Sequence, residues 1–107
     1  MGIDMTLLDG DVKVGGEFRA RKIWGLFRDA GMDIMPLAKD EYSVTHPNTV
    51  LWDMVELLDH PARQDEFIAK LVAIKFGNEE ASRQWVGCLL ADLRRWAEAG
   101  YGFRIGI

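Results

Sequence analysis

Apolar and polar residues alternate at both ends of the chain, and this period of two is typical of a half-buried β-strand. A lone hairpin is marginal in water, so strands with one apolar face need a partner to cover it. The sequence therefore predicts one small sheet that joins both termini. The alternating apolar positions are Ile3, Met5 and Leu7 at the start and Phe103, Ile105 and Ile107 at the end.

A hairpin is predicted directly after the first strand. The dipeptide Asp9-Gly10 suits a two-residue type I′ turn. Closing the hairpin there places Leu7 opposite Val12, so that apolar residues share one face. The second strand is expected to end at the consecutive glycines of residues 15–16.

Between the terminal strands the apolar period changes to that of a helix in four segments. Pro61 suits the first position of the third helix, and Gly77 suits its end. Asn78 is the expected cap of the fourth helix, which Gly100 ends. The predicted helices cover residues 17–30, 49–59, 61–76 and 79–99.

The third of these segments is apolar around most of its circumference, with Arg63, Glu66 and Lys70 as its polar sector. We therefore expect it to be the most buried helix. Residues 32–47 are the least regular part of the chain. A short edge strand over residues 32–37 is predicted there, because a proline is tolerated in a sheet only at its edge.

Together these elements predict an α+β fold, with a small, mainly antiparallel sheet of two to four strands built from both termini and packed by four helices. A length of 107 residues allows one domain, covering residues 1–107. The hydrophobic content of 49% is enough for one core and argues against disorder.

The net charge of −4 is unevenly distributed along the chain. Residues 29–66 hold nine acidic and two basic residues, whereas the flanking segments are mildly basic. This balance argues against direct nucleic-acid binding, which needs cations to neutralise phosphates. It allows a host protein with a basic surface as the partner, although an acidic face is more often simply solvated.

Targeting signals are not evident in the sequence. The first residues lack the basic and apolar regions of a signal peptide. The longest apolar run, residues 67–76, is too short to span a bilayer and contains two lysines. Cys88 is the sole cysteine, which is typical of a reducing compartment. We expect a cytoplasmic protein that does not contact membranes, and the sequence leaves its oligomeric state open.

The residue types needed for catalysis are sparse and poorly arranged. No glycine-rich phosphate loop is present, and Cys88 is expected to be a small core residue. Asp53, Glu56 and His60 would ligate a metal if the second helix stays regular to His60. A helix end with surface acids is the favoured alternative. We therefore expect a non-enzymatic protein without a cofactor or a metal.

Trp52 is the strongest candidate for a binding residue. On a helical wheel it lies outside the apolar arc of the second helix, beside acidic residues. A tryptophan in such a position is typical of an interface anchor. The alternative is that the irregular segment of residues 32–47 folds over it. The predicted partner-binding residues are Trp52, Asp53, Glu56 and Asp59, with Asp40 and Glu41 from the irregular segment.

An alternative function relies on two cations of the first helix. Arg21 and Arg28 lie one heptad apart and, with an aromatic pocket, would bind the phosphate or carboxylate of a small molecule or nucleotide. Exposed arginines at this spacing are also typical of a solvated helix face. A small hydrolase without a familiar motif is the third hypothesis.

The ends of the chain resemble those of a group of small bacterial and phage-borne proteins, which open with Met-Gly-Met-Asp and close with Gly-Phe and an apolar residue. The residues that carry the resemblance are Met1-Gly2-Ile3-Asp4-Met5, Phe18-Arg19 ahead of Trp24, and Gly102-Phe103-Arg104-Ile105. The group has no assigned activity, and the resemblance implies a phage or mobile-element origin. With the acidic residues 29–66, it leads to the hypothesis that the protein inhibits a bacterial defence complex such as a CRISPR effector.

Overall fold

The architecture is built from one apolar sheet face and a set of amphipathic helices that cover it. The computed structural model describes residues 2–34 and 43–106, with the backbone alone for residues 2, 3 and 17–23. These residues confirm the predicted α+β class, with an antiparallel sheet and four α-helices. The elements are β1 (Gly2–Asp9), β2 (Val12–Ala20), α1 (Arg21–Asp29), β3 (Ser43–His46), α2 (Asn48–Asp59), α3 (Pro61–Leu71), a π-helical turn (Val72–Phe76), α4 (Glu79–Glu98) and β4 (Gly102–Gly106).

β4 is an inner strand of the sheet, and it joins the two ends of the chain. The strand order is β2-β1-β4-β3, and each neighbouring pair is antiparallel. Met5 lies opposite Ile105 and Leu7 lies opposite Phe103. This register places the apolar residues of both strands on the same face. The prediction that the terminal segments pair is therefore confirmed.

One face of the sheet carries the core. The helices supply the rest of one continuous hydrophobic core, whose removal from water is the main term that favours folding. Asp4 and Arg104, on the opposite face, are exposed. The core residues of the sheet, each at most 4% exposed, are Met5, Leu7, Phe103 and Ile105.

β3 forms within the segment that the sequence pattern leaves irregular. Its four residues pair with β4, which places Val44 opposite Ile105 and His46 opposite Phe103. A strand this short depends on the partner strand rather than on its own pattern. The edge strand predicted over residues 32–37 is absent at residues 32–34, and residues 35–37 lie outside the described residues.

The turn of the β1–β2 hairpin starts one residue later than predicted. Asp9 pairs with Val12, so the two-residue loop begins at Gly10, whose φ of 62° is accessible to glycine without strain. The predicted pairing of Leu7 with Val12 is wrong, because Leu7 lies opposite Gly15.

A β-bulge explains the altered register. The pairing shifts between Leu7 and Leu8, which leaves Val14 as the extra residue on β2. A Cβ on Gly16 would lie 2.9 Å from the carbonyl oxygen of Met5, so glycine permits the close approach of the two backbones there. The consecutive glycines therefore lie inside β2 and do not end it. β2 continues through residues 17–20, and the first helix begins later than predicted for that reason.

α2 buries a larger share of its residues than α3, so the prediction that the third helix is the most buried is wrong. Five of twelve residues are buried in α2, against three of eleven in α3. The apolar end of the third segment forms a π-helical turn in which no residue is buried. Ile74, in this turn, is 39% exposed.

The predicted boundaries between the last two helices are confirmed. Gly77 has a φ of 61°, and its N–H donates to the carbonyl oxygen of Val72 at 2.9 Å. The side-chain oxygen of Asn78 accepts a hydrogen bond from the N–H of Ala81 at 3.0 Å. In the described ranges, no helix is both long enough and apolar enough to cross a membrane.

Asn48, the first residue of α2, forms hydrogen bonds with the end of α4 and with the residue that precedes β4. Its side-chain amide donates to the carbonyl oxygen of Ala97 at 3.0 Å and to that of Tyr101 at 2.8 Å. These carbonyls belong to the end of α4 and to the residue before β4. The two hydrogen bonds therefore fix the start of α2 against the junction that leads into the central strand.

We predict that Phe103→Ala destabilises the protein by about 3–5 kcal/mol, because a fully buried ring is replaced by a cavity. Arg104→Ala is the matched control on the exposed face of the same strand, and it should change stability by less than about 0.5 kcal/mol. Urea unfolding followed by circular dichroism measures both values.

Truncation after Gly102 should abolish cooperative unfolding. A truncated chain that melts like the full chain would contradict the placement of β4.

We predict that Asn48→Asp costs about 1–3 kcal/mol, because a carboxylate keeps the shape of the amide but has no proton to donate to the two carbonyls. Thr49→Ala changes the next, exposed residue and serves as the control. Thermal and urea unfolding of both variants provide the comparison. Equal stabilities for the two variants would show that these hydrogen bonds contribute nothing.

Candidate functional site

The outer face of α2 carries most of the residues that the sequence singled out. The buried positions of the helix are Leu51, Met54, Val55, Leu57 and Leu58. Because these residues occupy the arc that faces the core, the helical period turns the intervening positions outward. Trp52, Asp53, Glu56 and Asp59 are all exposed. We call these four residues the α2 face.

Trp52 has the largest side chain on the α2 face, and 41% of it is exposed. Among the described residues, the other large hydrophobic side chains that are exposed are Val12, Val14 and Ile74. Residues 35–42, which include Asp40 and Glu41, lie outside the described residues, so the structure gives no position for that part of the predicted site. Trp52 therefore presents an apolar ring to solvent beside acidic neighbours.

An open cleft of about 460 Å³ borders the α2 face. Asp53 and Glu56 lie one turn apart on α2 and form one side of it. The buried Leu57 and the half-buried Met32 provide apolar surface, and Arg63 comes from the first turn of α3. Its lining residues are Met32, Asp53, Glu56, Leu57, His60 and Arg63. We call this feature the α2 cleft.

The α2 cleft has a weak excess of negative charge. Its described lining residues include two carboxylates and one guanidinium. In the described part of the chain, neither Asp53 nor Glu56 takes part in an ion pair. Both carboxylates are therefore available to a cation from outside the protein. Sequence reasoning did not place Met32 or Arg63 at the site, because tertiary packing brings them there.

Asp59 differs from the other acids of the α2 face because it is already paired. Arg94 of α4 contacts its carboxylate at 3.1 Å. Arg83, also on α4, contacts Asp65 at 3.3 Å and Glu79 at 2.9 Å. Such exposed pairs contribute little to stability, but they neutralise part of the acidic segment. The structure therefore divides the predicted acidic surface, leaving Asp53 and Glu56 at the cleft.

The two histidines lie apart, with His60 exposed between α2 and α3 and His46 half-buried in β3. α2 ends at Asp59, and His60 has an extended backbone with φ −81° and ψ 117°. The regular helix that a metal site of Asp53, Glu56 and His60 requires is thus interrupted. Within residues 2–34 and 43–106, no three His, Cys, Asp or Glu side chains form a group that would hold a metal. The His46 ring lies within hydrogen-bond distance of the Ile34 carbonyl oxygen, 2.8 Å from Nε2, and packs 4.9 Å from the Phe103 ring.

Cys88 is exposed, which corrects the prediction that it is a core residue. The buried stripe of α4 includes Val86, Leu89 and Leu93. Cys88 lies on the opposite side of the helix from this stripe, since successive residues are rotated by about 100°. Val86 and Leu89, which lie near Cys88 in the sequence, belong to the buried face, whereas the thiol of Cys88 does not.

The alternative ligand site of Arg21 and Arg28 lies partly outside the described side chains. Arg28 is exposed in the last turn of α1, and for Arg21 the structure describes the backbone alone. A cleft with aromatic walls does exist elsewhere in the molecule. Its described lining includes Trp96 and Tyr101, with Arg95 as the arginine.

Comparison with known proteins gives no indication of the function. No protein-family model and no characterised protein matches the sequence, and no solved structure matches the fold.

Proposed function

We propose that the protein is a non-enzymatic binding module that docks a basic segment of a partner protein on the α2 face and the α2 cleft. The observation that carries this proposal is the exposed ring of Trp52 beside two acids without ion-pair partners in the described structure. Tryptophan is enriched among the residues that dominate binding energy in interfaces. An acidic rim adds selectivity for a basic partner.

An arginine or lysine of the partner matches the chemistry of this surface. Its cation would lie between Asp53 and Glu56, and its aliphatic stem would contact the apolar surface of Leu57. The Trp52 ring offers a face for a cation–π contact, which is worth about 0.5–1 kcal/mol at an exposed site. Arg63 opposes the approach of a cation, so the proposal depends on the two carboxylates outweighing it.

Inhibition of a bacterial defence complex, such as a CRISPR effector, is the narrower form of this proposal. It is supported by the resemblance of the chain ends to small phage-borne proteins and by the acidic composition of residues 29–66. The ion pairs of Asp59 and Asp65 with α4 favour recognition of a defined protein surface over mimicry of DNA charge. The non-enzymatic part of the proposal is supported by the lack of a phosphate loop and of a recognisable nucleophile in the sequence.

We predict that Trp52→Ala reduces partner binding by about 2 kcal/mol, or roughly 30-fold, while changing the stability of the protein little. Ile74→Ala is the matched control, because Ile74 is 39% exposed and lies in the π-helical turn, away from α2. Affinity capture from a lysate of the host bacterium, quantified by mass spectrometry, compares the two variants with the wild type. A partner that binds the α2 face should be captured by the wild type and by Ile74→Ala, and its capture should be strongly reduced with Trp52→Ala.

Charge variants test the acidic half of the surface. Asp53→Asn combined with Glu56→Gln should weaken capture of the same protein and reduce its sensitivity to salt. Glu80→Gln, at an exposed acid of α4, should leave capture unchanged. Equal capture by the wild type and by Trp52→Ala would contradict the proposal, as would unfolding of Trp52→Ala, which would identify Trp52 as a core residue.

A further inference from the structure

A second cleft lies between the β1–β2 hairpin and the junction of α4 with β4. Its volume is about 360 Å³, which falls within the range of small-molecule sites. It lies on elements other than α2, and nothing in the protein-binding proposal uses it. The described lining includes Leu7, Gly15, Gly16, Arg95, Trp96 and Tyr101. We call this feature the hairpin cleft.

The hairpin cleft is open because β2 lacks side chains at its centre. Gly15 and Gly16 expose only backbone along one wall. A Cβ built on Gly15 would make ordinary contact with a methyl carbon of Leu7 at 3.6 Å, so close packing does not require glycine there. The space beside Gly15 is therefore available to a ligand.

The aromatic residues Trp96 and Tyr101 also line the hairpin cleft. Trp96 is 8% exposed and belongs to the core. The N–H of Tyr101 donates to the carbonyl oxygen of Trp96 at 3.2 Å, and its own carbonyl oxygen accepts the hydrogen bond from Asn48. These hydrogen bonds fix the backbone of Tyr101, and burial fixes the Trp96 ring. No residue in the described ranges forms a hydrogen bond with the Tyr101 hydroxyl.

Arg95 is the charged side chain among the described lining residues. Its carbon Cζ lies 6.0 Å from the centre of the Trp96 ring, so the cation borders the aromatic wall. It also contacts Asp92 at 3.0 Å, three residues earlier on the same helix, with 69% of the arginine side chain exposed. The Asp92 carboxylate is 30% exposed, so a ligand carboxylate would have to share the guanidinium with it, and an exposed guanidinium has further N–H donors for a second acceptor.

We propose that the hairpin cleft binds a small planar aromatic carboxylate. The ring would pack against Trp96 and Tyr101, where aromatic pairs gain attraction beyond simple burial. The carboxylate would accept hydrogen bonds from the Arg95 guanidinium, whose fork matches its two oxygens. A single guanidinium balances the one negative charge of a carboxylate, but it does not balance the several charges of a polyphosphate. This chemistry favours a monoanionic aromatic acid over a nucleotide.

The test uses 2-naphthoate as the probe and its neutral analogue 2-naphthalenemethanol, each titrated into the ¹⁵N-labelled full chain. We expect 2-naphthoate to shift the backbone amide signals of Gly15, Gly16 and Tyr101, with weaker binding of the neutral analogue. Arg95→Gln should weaken 2-naphthoate binding by about tenfold, the loss expected for a charged hydrogen-bonding partner. Binding of the neutral analogue should be unchanged in this variant.

Arg94→Gln is the matched control, because Arg94 is the adjacent arginine and contacts Asp59 on α2 instead. It should leave the affinity for 2-naphthoate unchanged. Gly15→Val, which fills the space beside Leu7, should remove binding of both compounds, and its circular dichroism spectrum shows whether the fold is kept. The absence of amide shifts in the wild type up to the solubility limit of 2-naphthoate would overturn the proposal. Equal affinities for Arg95→Gln and Arg94→Gln would also overturn it.

Discussion

The structure depends on the pairing of the last strand of the chain with the first. β4 follows all the other described elements in sequence, yet it lies between β1 and β3 and contributes two fully buried side chains, Phe103 and Ile105. Without it, β1–β2 would be an isolated hairpin and β3 would have no partner, and a lone hairpin is marginal in water. Contacts between residues this far apart in sequence carry a large entropic cost of closure. Burial of the shared apolar face must offset that cost.

The two candidate sites are consequences of this arrangement. α2 follows β3 directly, and Asn48 fixes its first turn to the residues that lead into β4. Its inner face is then committed to the core, which leaves Trp52, Asp53 and Glu56 turned outward next to the first turn of α3. The bulged hairpin, with Gly15 and Gly16, and the end of α4 together line the hairpin cleft. Most residues of both sites thus belong to regular helices and strands.

Sequence periodicity predicted the elements well and their contacts less well. The alternation at the two ends and the capping signals of Gly77 and Asn78 act locally, so the pattern alone identifies them. The bulge at Val14 depends on how two strands fit together. The pairing of Asp59 with Arg94 joins residues of different helices. Periodicity contains neither kind of information, and for that reason the hairpin register was mispredicted and the pairing of Asp59 was not foreseen.

Amide hydrogen exchange of β4 tests the central role of this strand most directly. If β4 is the strand on which the sheet depends, its amides can exchange only when the whole protein unfolds. The protection free energies of the hydrogen-bonded amides in residues 103–105 should then equal the free energy of unfolding measured with urea. Protection of these amides as low as that of a frayed terminus, in a chain that otherwise remains native, would contradict this account.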